Sequence, residues 1–300
     1  MTALKGIVPP MITPLINESK LDYRGLEKLI EHLISGGVHG VFILGTTGEA
    51  PSLSHALRVD LIKYVCDQVN GRIPVLVGIT DVSLKEAVHI SDKSKEFGAQ
   101  AVVLAPPFYY QIDQNELYHF TEQLIGEISL PVYLYNNPGL TKVSFEIETI
   151  RKLLSNPEVI GLKDSSADMV YYHRLLKVAQ DSEVPLLIGP EELLMESLLI
   201  GGNGGISGGA NMFPQLYVSI YDSVNSGDLN KARELQRQVM ELSGIVYSGN
   251  GSSSVINGIK CVLKHMQICP NDYIVKPLNK ASKDKSERIN QYLTNQKLYV

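Results

Sequence analysis

The chain has few cysteines, no long apolar run, no basic cluster and no paired histidines, and each shortage removes a class of function. Cys66, Cys261 and Cys269 are odd in number and lack metal-type spacing, so they read as structural thiols of a protein kept in a reducing cytoplasm. No segment approaches the roughly 18 uninterrupted apolar residues of a membrane span. The opening MTALKGIVPPMITP is too short in its apolar run and too proline-rich for a secretory signal, so a soluble, cytoplasmic protein is expected. A formal net charge of −5 and a pI near 5.8 leave no electrostatic footprint for nucleic acid, and no Lys or Arg run suits an anionic membrane surface. The histidines, at 32, 39, 55, 89, 119, 173 and 265, include no pair at i, i+4. That disfavours a metal-dependent aldolase or hydrolase, and neither a metal nor a cofactor is expected. The partner these exclusions leave is a small molecule.

What is present is a regular alternation. With 300 residues, 44% of them hydrophobic, the chain suits one large barrel or two ordinary domains. Strand patterns at 6–12, 38–45, 73–80, 99–107, 130–138, 159–166, 184–191 and 204–211 alternate with helical ones near 22–35, 56–69, 83–97, 114–128, 144–154, 168–179, 193–199 and 213–224. Such units pair in parallel through right-handed crossovers, and eight is the number that closes a barrel. A doubly wound open sheet is the other arrangement this pattern allows, but no composition shift marks a second nucleotide-binding half. The expectation is a (β/α)8 TIM barrel over 1–224 and a helical extension over 225–300, with helices near 229–248, 253–266 and 286–298 and a loop at 249–255. The extension shows no sign of catalytic residues.

One strand breaks its own pattern. In VIGLKDSS, at 159–166, alternation puts Ile160 and Leu162 on one face and Gly161 and Lys163 on the other. A buried ammonium is unfavourable, and desolvation lowers a lysine pKa toward the range where a neutral amine attacks carbonyls. Lys163 is therefore a candidate Schiff-base nucleophile. The plainer alternative is a strand-end lysine reaching solvent or pairing with Asp164.

Two other polar stretches fall at strand ends, where barrel enzymes carry their chemistry. GTTGE, at 45–49, offers two hydroxyls and successive backbone N–H groups ahead of a helix, suited to a carboxylate; an ordinary Gly/Thr turn reads the same way. In YLYNNPGLT, at 133–141, Tyr135 shares strand parity with Tyr133 and faces the barrel interior, where it is either a proton-relaying phenol or simple packing. GGNGGISGG, at 201–209, lacks the Lys-Ser/Thr ending of a phosphate loop; its glycines suggest close backbone approach to a ligand beside Ile206.

The succession GTTGE, PPFYY, YNNP, GLKDSS and GGISGGAN, over nearly the whole chain, resembles the pyruvate-dependent class I aldolase family of dihydrodipicolinate synthase and N-acetylneuraminate lyase. The resemblance implies a (β/α)8 barrel with a helical extension, usually a homotetramer built as a dimer of dimers, and a covalent imine with a keto acid in place of any cofactor. It places the imine on Lys163, the proton relay on Tyr135 with Thr46, and a second relay tyrosine, contributed by a neighbouring subunit, at Tyr109. Thr46 and Thr47 of GTTGE would hold the pyruvate carboxylate beside Gly45, with the Ile206 main-chain carbonyl facing the pyruvate.

Leu140 departs from the synthases, which carry there an arginine that grips the second substrate's carboxylate. In this it looks like the lyases, where an acidic pair binds sugar hydroxyls at the positions of Glu191 and Glu192, after Gly189, in GPEE. GTTGE is nevertheless the synthase form, and KDSSAD resembles the keto-acid aldolases and dehydratases. The expected activity is a lyase acting on pyruvate or 2-keto-3-deoxy sugar acids, N-acetylneuraminate-like substrates among them. The alternatives are 4-hydroxy-tetrahydrodipicolinate synthesis, with Lys142 standing in for the arginine, and a catalytically silent keto-acid-binding barrel.

Overall fold

The computed structural model describes residues 4–249 and 251–296. β1 (Gly6–Ile7) is shorter than the expected strand because Pro9 and Pro10 have no N–H to continue a ladder. An antiparallel hairpin of β2 (Leu15–Asn17) and β3 (Lys20–Leu21) follows. α1 (Tyr23–Ser35) starts where the Asp22 carboxylate accepts the Gly25 N–H at 3.1 Å, a cap worth about 1 kcal/mol. The alternation then runs β4 (Val41–Ile43), α2 (His55–Val69), β5 (Val75–Gly78), α3 (Leu84–Glu96), β6 (Ala101–Leu104), α4 (Gln114–Glu127) and β7 (Val132–Asn136). The short α5 (Pro138–Thr141) and α6 (Ile147–Leu153) precede β8 (Val159–Asp164), α7 (Met169–Asp181), β9 (Leu186–Ile188), α8 (Leu194–Leu199), β10 (Gly204–Gly205) and α9 (Pro214–Asn225). The extension is α10 (Leu229–Val246), α11 (Ser252–His265) and α12 (Lys283–Gln296). Among the described residues, no helix is long and apolar enough to cross a membrane.

The eight parallel strands lie in the order β1, β10, β9, β8, β7, β6, β5, β4. The two outer strands meet through a parallel bridge between Pro10 and Phe42, where Phe42 N–H donates to Pro9 at 2.9 Å and Met11 N–H donates to Phe42 at 2.8 Å. This closure makes the sheet a TIM barrel and removes the open-sheet alternative. Two apolar clusters follow from the alternation. Val8, Phe42, Leu76, Val103, Tyr133 and Leu187 fill the barrel interior, while the larger cluster lies between strands and helices.

Three local expectations are corrected. A bulge between Val132 and Tyr133 in the β7 register sets Ile160 against the interior cluster while Leu162 joins the outer one, so the two do not share a face. The eighth strand ends at Gly205, because the Asn211 side chain donates to Pro10 O and accepts from Ile12 N–H, drawing the following residues into a one-turn helix, Gly208–Asn211. Of the loop expected at 249–255, residues 252–255 form the first turn of α11, and residue 250 lies outside the described residues.

Candidate active site

Lys163 is 5% exposed, and its Nζ lies 3.8 Å from the centroid of the Tyr135 ring and 5.1 Å from that of Phe42. It neither reaches solvent nor pairs with Asp164, whose carboxylate accepts from the Asn136 side chain and the Ser166 hydroxyl, each at 2.8 Å. Burial lowers the Lys163 pKa, against the raising influence of Tyr135. Desolvation thus acts in favour of the neutral amine. Below it, Gly161 stands opposite Tyr133 in the ladder, where a Cβ would come within 2.1 Å of the ring. Glycine here lets Tyr133 floor the chamber, its hydroxyl accepting the Leu4 N–H at 2.9 Å.

Tyr135 pairs with Lys163 across β7 and β8, on the face the alternation predicts. Burial alone would raise its pKa, but the Lys163 charge and hydrogen bonds with Ser165, Lys163 and Thr46 outweigh it and hold the phenol below its usual value. Asn137 Nδ2 donates to the same hydroxyl at 2.7 Å. Ser165 and Asn137 were given no role in the sequence reading, although they lie inside its motifs GLKDSS and YNNP. A phenol among these donors, beside a desolvated amine, can pass a proton to and from an atom held over Nζ.

The turn after β4 brings Thr46 and Thr47 to the same cavity, which measures about 290 Å³ and also takes in Ser165, Gly189, Glu192 and Ile206. GTTGE does not open α2 directly: a one-turn helix, Ala50–Ser52, intervenes, and Ser54 caps α2. A neighbouring apolar lobe of about 270 Å³ meets the first at Thr46, Tyr135, Asn137, Leu140 and Ile256; Gly45 lines this second lobe. Leu140, 42% exposed, sits where both open. Neither lobe is lined by an arginine among the described residues. Lys142 lines neither lobe, and its Nζ donates to Gly139 O at 2.7 Å.

Other expectations change. Glu191 is 3% exposed and its carboxylate is engaged, Oε2 accepting Gly209 N–H at 2.6 Å and Oε1 accepting Tyr217 and Tyr247 hydroxyls at 2.6 and 2.9 Å. Burial and the Glu192 charge raise its pKa to about 7, against those hydrogen bonds. It is a brace in the cavity wall, and half-buried Glu192 lines the same cavity beside it. Of the glycines of 201–209, Gly208 lines the cavity beside Ile206, while others allow close approach of protein elements: a Cβ at Gly204 would meet Gly6 O at 2.0 Å, and one at Gly209 would meet Tyr217 Oη at 1.9 Å. The extension does enter the site, through Tyr247, Val255 and Ile256. Tyr109 is 79% exposed, edge-on to Tyr110, and outside the cavity of its own chain.

No group of three or more His, Cys, Asp or Glu suited to a metal occurs among the described residues. The chain matches the model of the dihydrodipicolinate synthetase family over residues 3–296. It is 34% identical over 247 residues to a 4-hydroxy-tetrahydrodipicolinate synthase of Methanopyrus kandleri, with 82% of each chain covered. It is 29% identical over 299 residues to the probable 2-dehydro-3-deoxy-D-pentonate aldolase YjhH of Escherichia coli K12, covering 99% of this chain and 98% of that one. The solved dihydrodipicolinate synthase of Bacteroides thetaiotaomicron superposes with a TM-score of 0.94 at 45% identity, covering 98% of this chain and 100% of that one. A closed barrel with a desolvated lysine against a tyrosine, matched along almost its full length, makes this chain a member of the dihydrodipicolinate synthetase family of pyruvate-dependent class I aldolases.

Proposed function

We propose that the protein cleaves or forms 2-keto-3-deoxy sugar acids through an imine on Lys163. The neutral Lys163 amine adds to the keto carbon of the substrate. Tyr135, with Thr46 and Ser165, moves the protons that convert the carbinolamine to imine with loss of water. The protonated imine at C2 draws the electron pair of the C3–C4 bond into a C2–C3 enamine, and C4 leaves as an aldehyde while Tyr135 takes the C4 hydroxyl proton; the reverse makes the bond. Thr46 and Thr47 seat the carboxylate beside the Ile206 carbonyl and Gly189. Tyr109 joins the relay of a second copy in a homotetramer, a role its exposure beside Tyr110 suits. The buried free thiols fit a reducing cytoplasm.

The observation that carries the substrate class is Leu140 at the junction of the lobes. A guanidinium clamp on a second carboxylate is worth a charge-assisted bidentate pair, and neither Leu140 nor Lys142 supplies one. Glu192 offers a hydroxyl acceptor in its place. The synthase reading draws support from GTTGE and from the names of several relatives. Steady-state rates decide between them: cleavage of 2-keto-3-deoxy sugar acids should exceed condensation of pyruvate with aspartate semialdehyde. A dominant condensation rate rejects the proposal, and pyruvate binding without a borohydride-trapped adduct leaves a silent barrel.

A further inference from the structure

The glutamate of GTTGE lines the apolar lobe but has no role in the mechanism above. Glu49 is 1% exposed, and its carboxylate faces the extension: Lys260 Nζ donates to Oε1, and Val275 N–H donates to Oε2 at 2.8 Å. Lys260, also 1% exposed, donates a second bond to Tyr273 O at 2.6 Å. Burial lowers its pKa while the Glu49 charge raises it. This is a complete buried ion pair, joining residues 211 apart in sequence.

Both ends of the turn that carries Thr46 and Thr47 are in the left-handed region, Leu44 at φ 56° and Glu49 at φ 59°. Side-chain-bearing residues hold that conformation only where their surroundings over-determine it. Within the turn there are Glu49 N–H to Thr46 O at 3.0 Å and Thr13 Oγ1 to Gly48 O at 2.7 Å. The anchor at the strained C-terminal end is the Glu49 carboxylate. Its partner lies one helical turn beyond Ile256 on α11, so one face of α11 both walls the cavity and grips the turn.

We propose that Glu49 and Lys260 are positioning residues that hold Thr46 and Thr47 in register for a substrate carboxylate, so that the extension sets affinity for the keto acid. The inference rests on the carboxylate-seat reading given above. Its test measures pyruvate affinity by calorimetry and, separately, the plateau of borohydride-trapped adduct on Lys163, in Lys260→Met, in the charge-free Glu49→Gln/Lys260→Met pair and in Lys285→Met. Lys285 is a buried cation of the extension, bonded to Ser254 O and Asn257 Oδ1 away from the turn. Both Lys260 variants should raise the pyruvate Kd about tenfold or more, an affinity loss of one decade, with the saturating adduct level kept within about threefold. Lys285→Met should lower Tm and leave the Kd in place. The double variant leaves no orphaned buried charge and therefore keeps the comparison readable if Lys260→Met does not fold. An unchanged Kd in a folded Lys260 variant, or an equal rise in Lys285→Met, overturns the proposal. Wild-type binding without an adduct rejects the imine chemistry but still reads the latch through Kd; no binding at all overturns both.

Discussion

Lys163 and Lys260 are the same side chain at nearly the same burial, and the protein treats them in opposite ways. Lys260 sits on a carboxylate and a carbonyl, and its charge is compensated. Lys163 sits on two aromatic rings, one of them the Tyr135 phenol, and no carboxylate forms an ion pair with it among the described residues. Desolvation pushes both amines toward neutrality, so the presence or absence of an anion decides which becomes a strut and which a nucleophile.

One substitution made at both sites tests this contrast most severely. Lys163→Met should abolish the adduct and reduce turnover on the order of 10⁴-fold or more, while denaturant unfolding shows stability unchanged or raised. Lys260→Met, leaving Glu49 buried and unpaired, should lose about 3–5 kcal/mol in the same unfolding experiment. Equal destabilisation by the two would break the comparison. Next in size is Tyr135→Phe, expected to lower kcat by about 10²–10⁴ with pyruvate affinity little altered; Tyr133→Phe, two residues away on the chamber floor, should leave kcat near wild type.

The smallest effect concerns the third buried charge near the site. The folded pKa of Glu191, about 7, lies above its ordinary 4.5, so the folded chain retains this proton where the unfolded chain has lost it. The stability it contributes is full below the ordinary value and disappears as pH rises through the folded one, a loss of about 3 kcal/mol. Glu191→Gln should flatten that slope, melting above wild type at pH 8.5 and close to it at pH 5. A steeper slope in the variant would mean the ionised carboxylate is the favoured folded form.

The barrel was legible because its signals are local. Apolar runs, caps such as Asp22 and the strand–helix spacing lie within a dozen residues of one another, and Lys163 stood out as a charge in an apolar strand. Tyr135 followed from parity with Tyr133. What stayed hidden depends on partners far away in the chain. Glu49 reads as one end of a short motif until Lys260 is brought to it, and Glu191 reads as a free acceptor until Tyr217 and Tyr247 close on it. Ile256 had nothing local to mark it as a cavity wall.

Phe42 is both the seam of the barrel, through its bridge to Pro10, and one wall of the lysine's cage. The first strand meets the last through Gly6 and Gly204. β1 is therefore paired on both sides only through strands that nearly the whole barrel separates in sequence. The closed interior that buries Lys163 is thus completed by the pairing of Gly6 with Gly204, two glycines distant from the lysine in sequence.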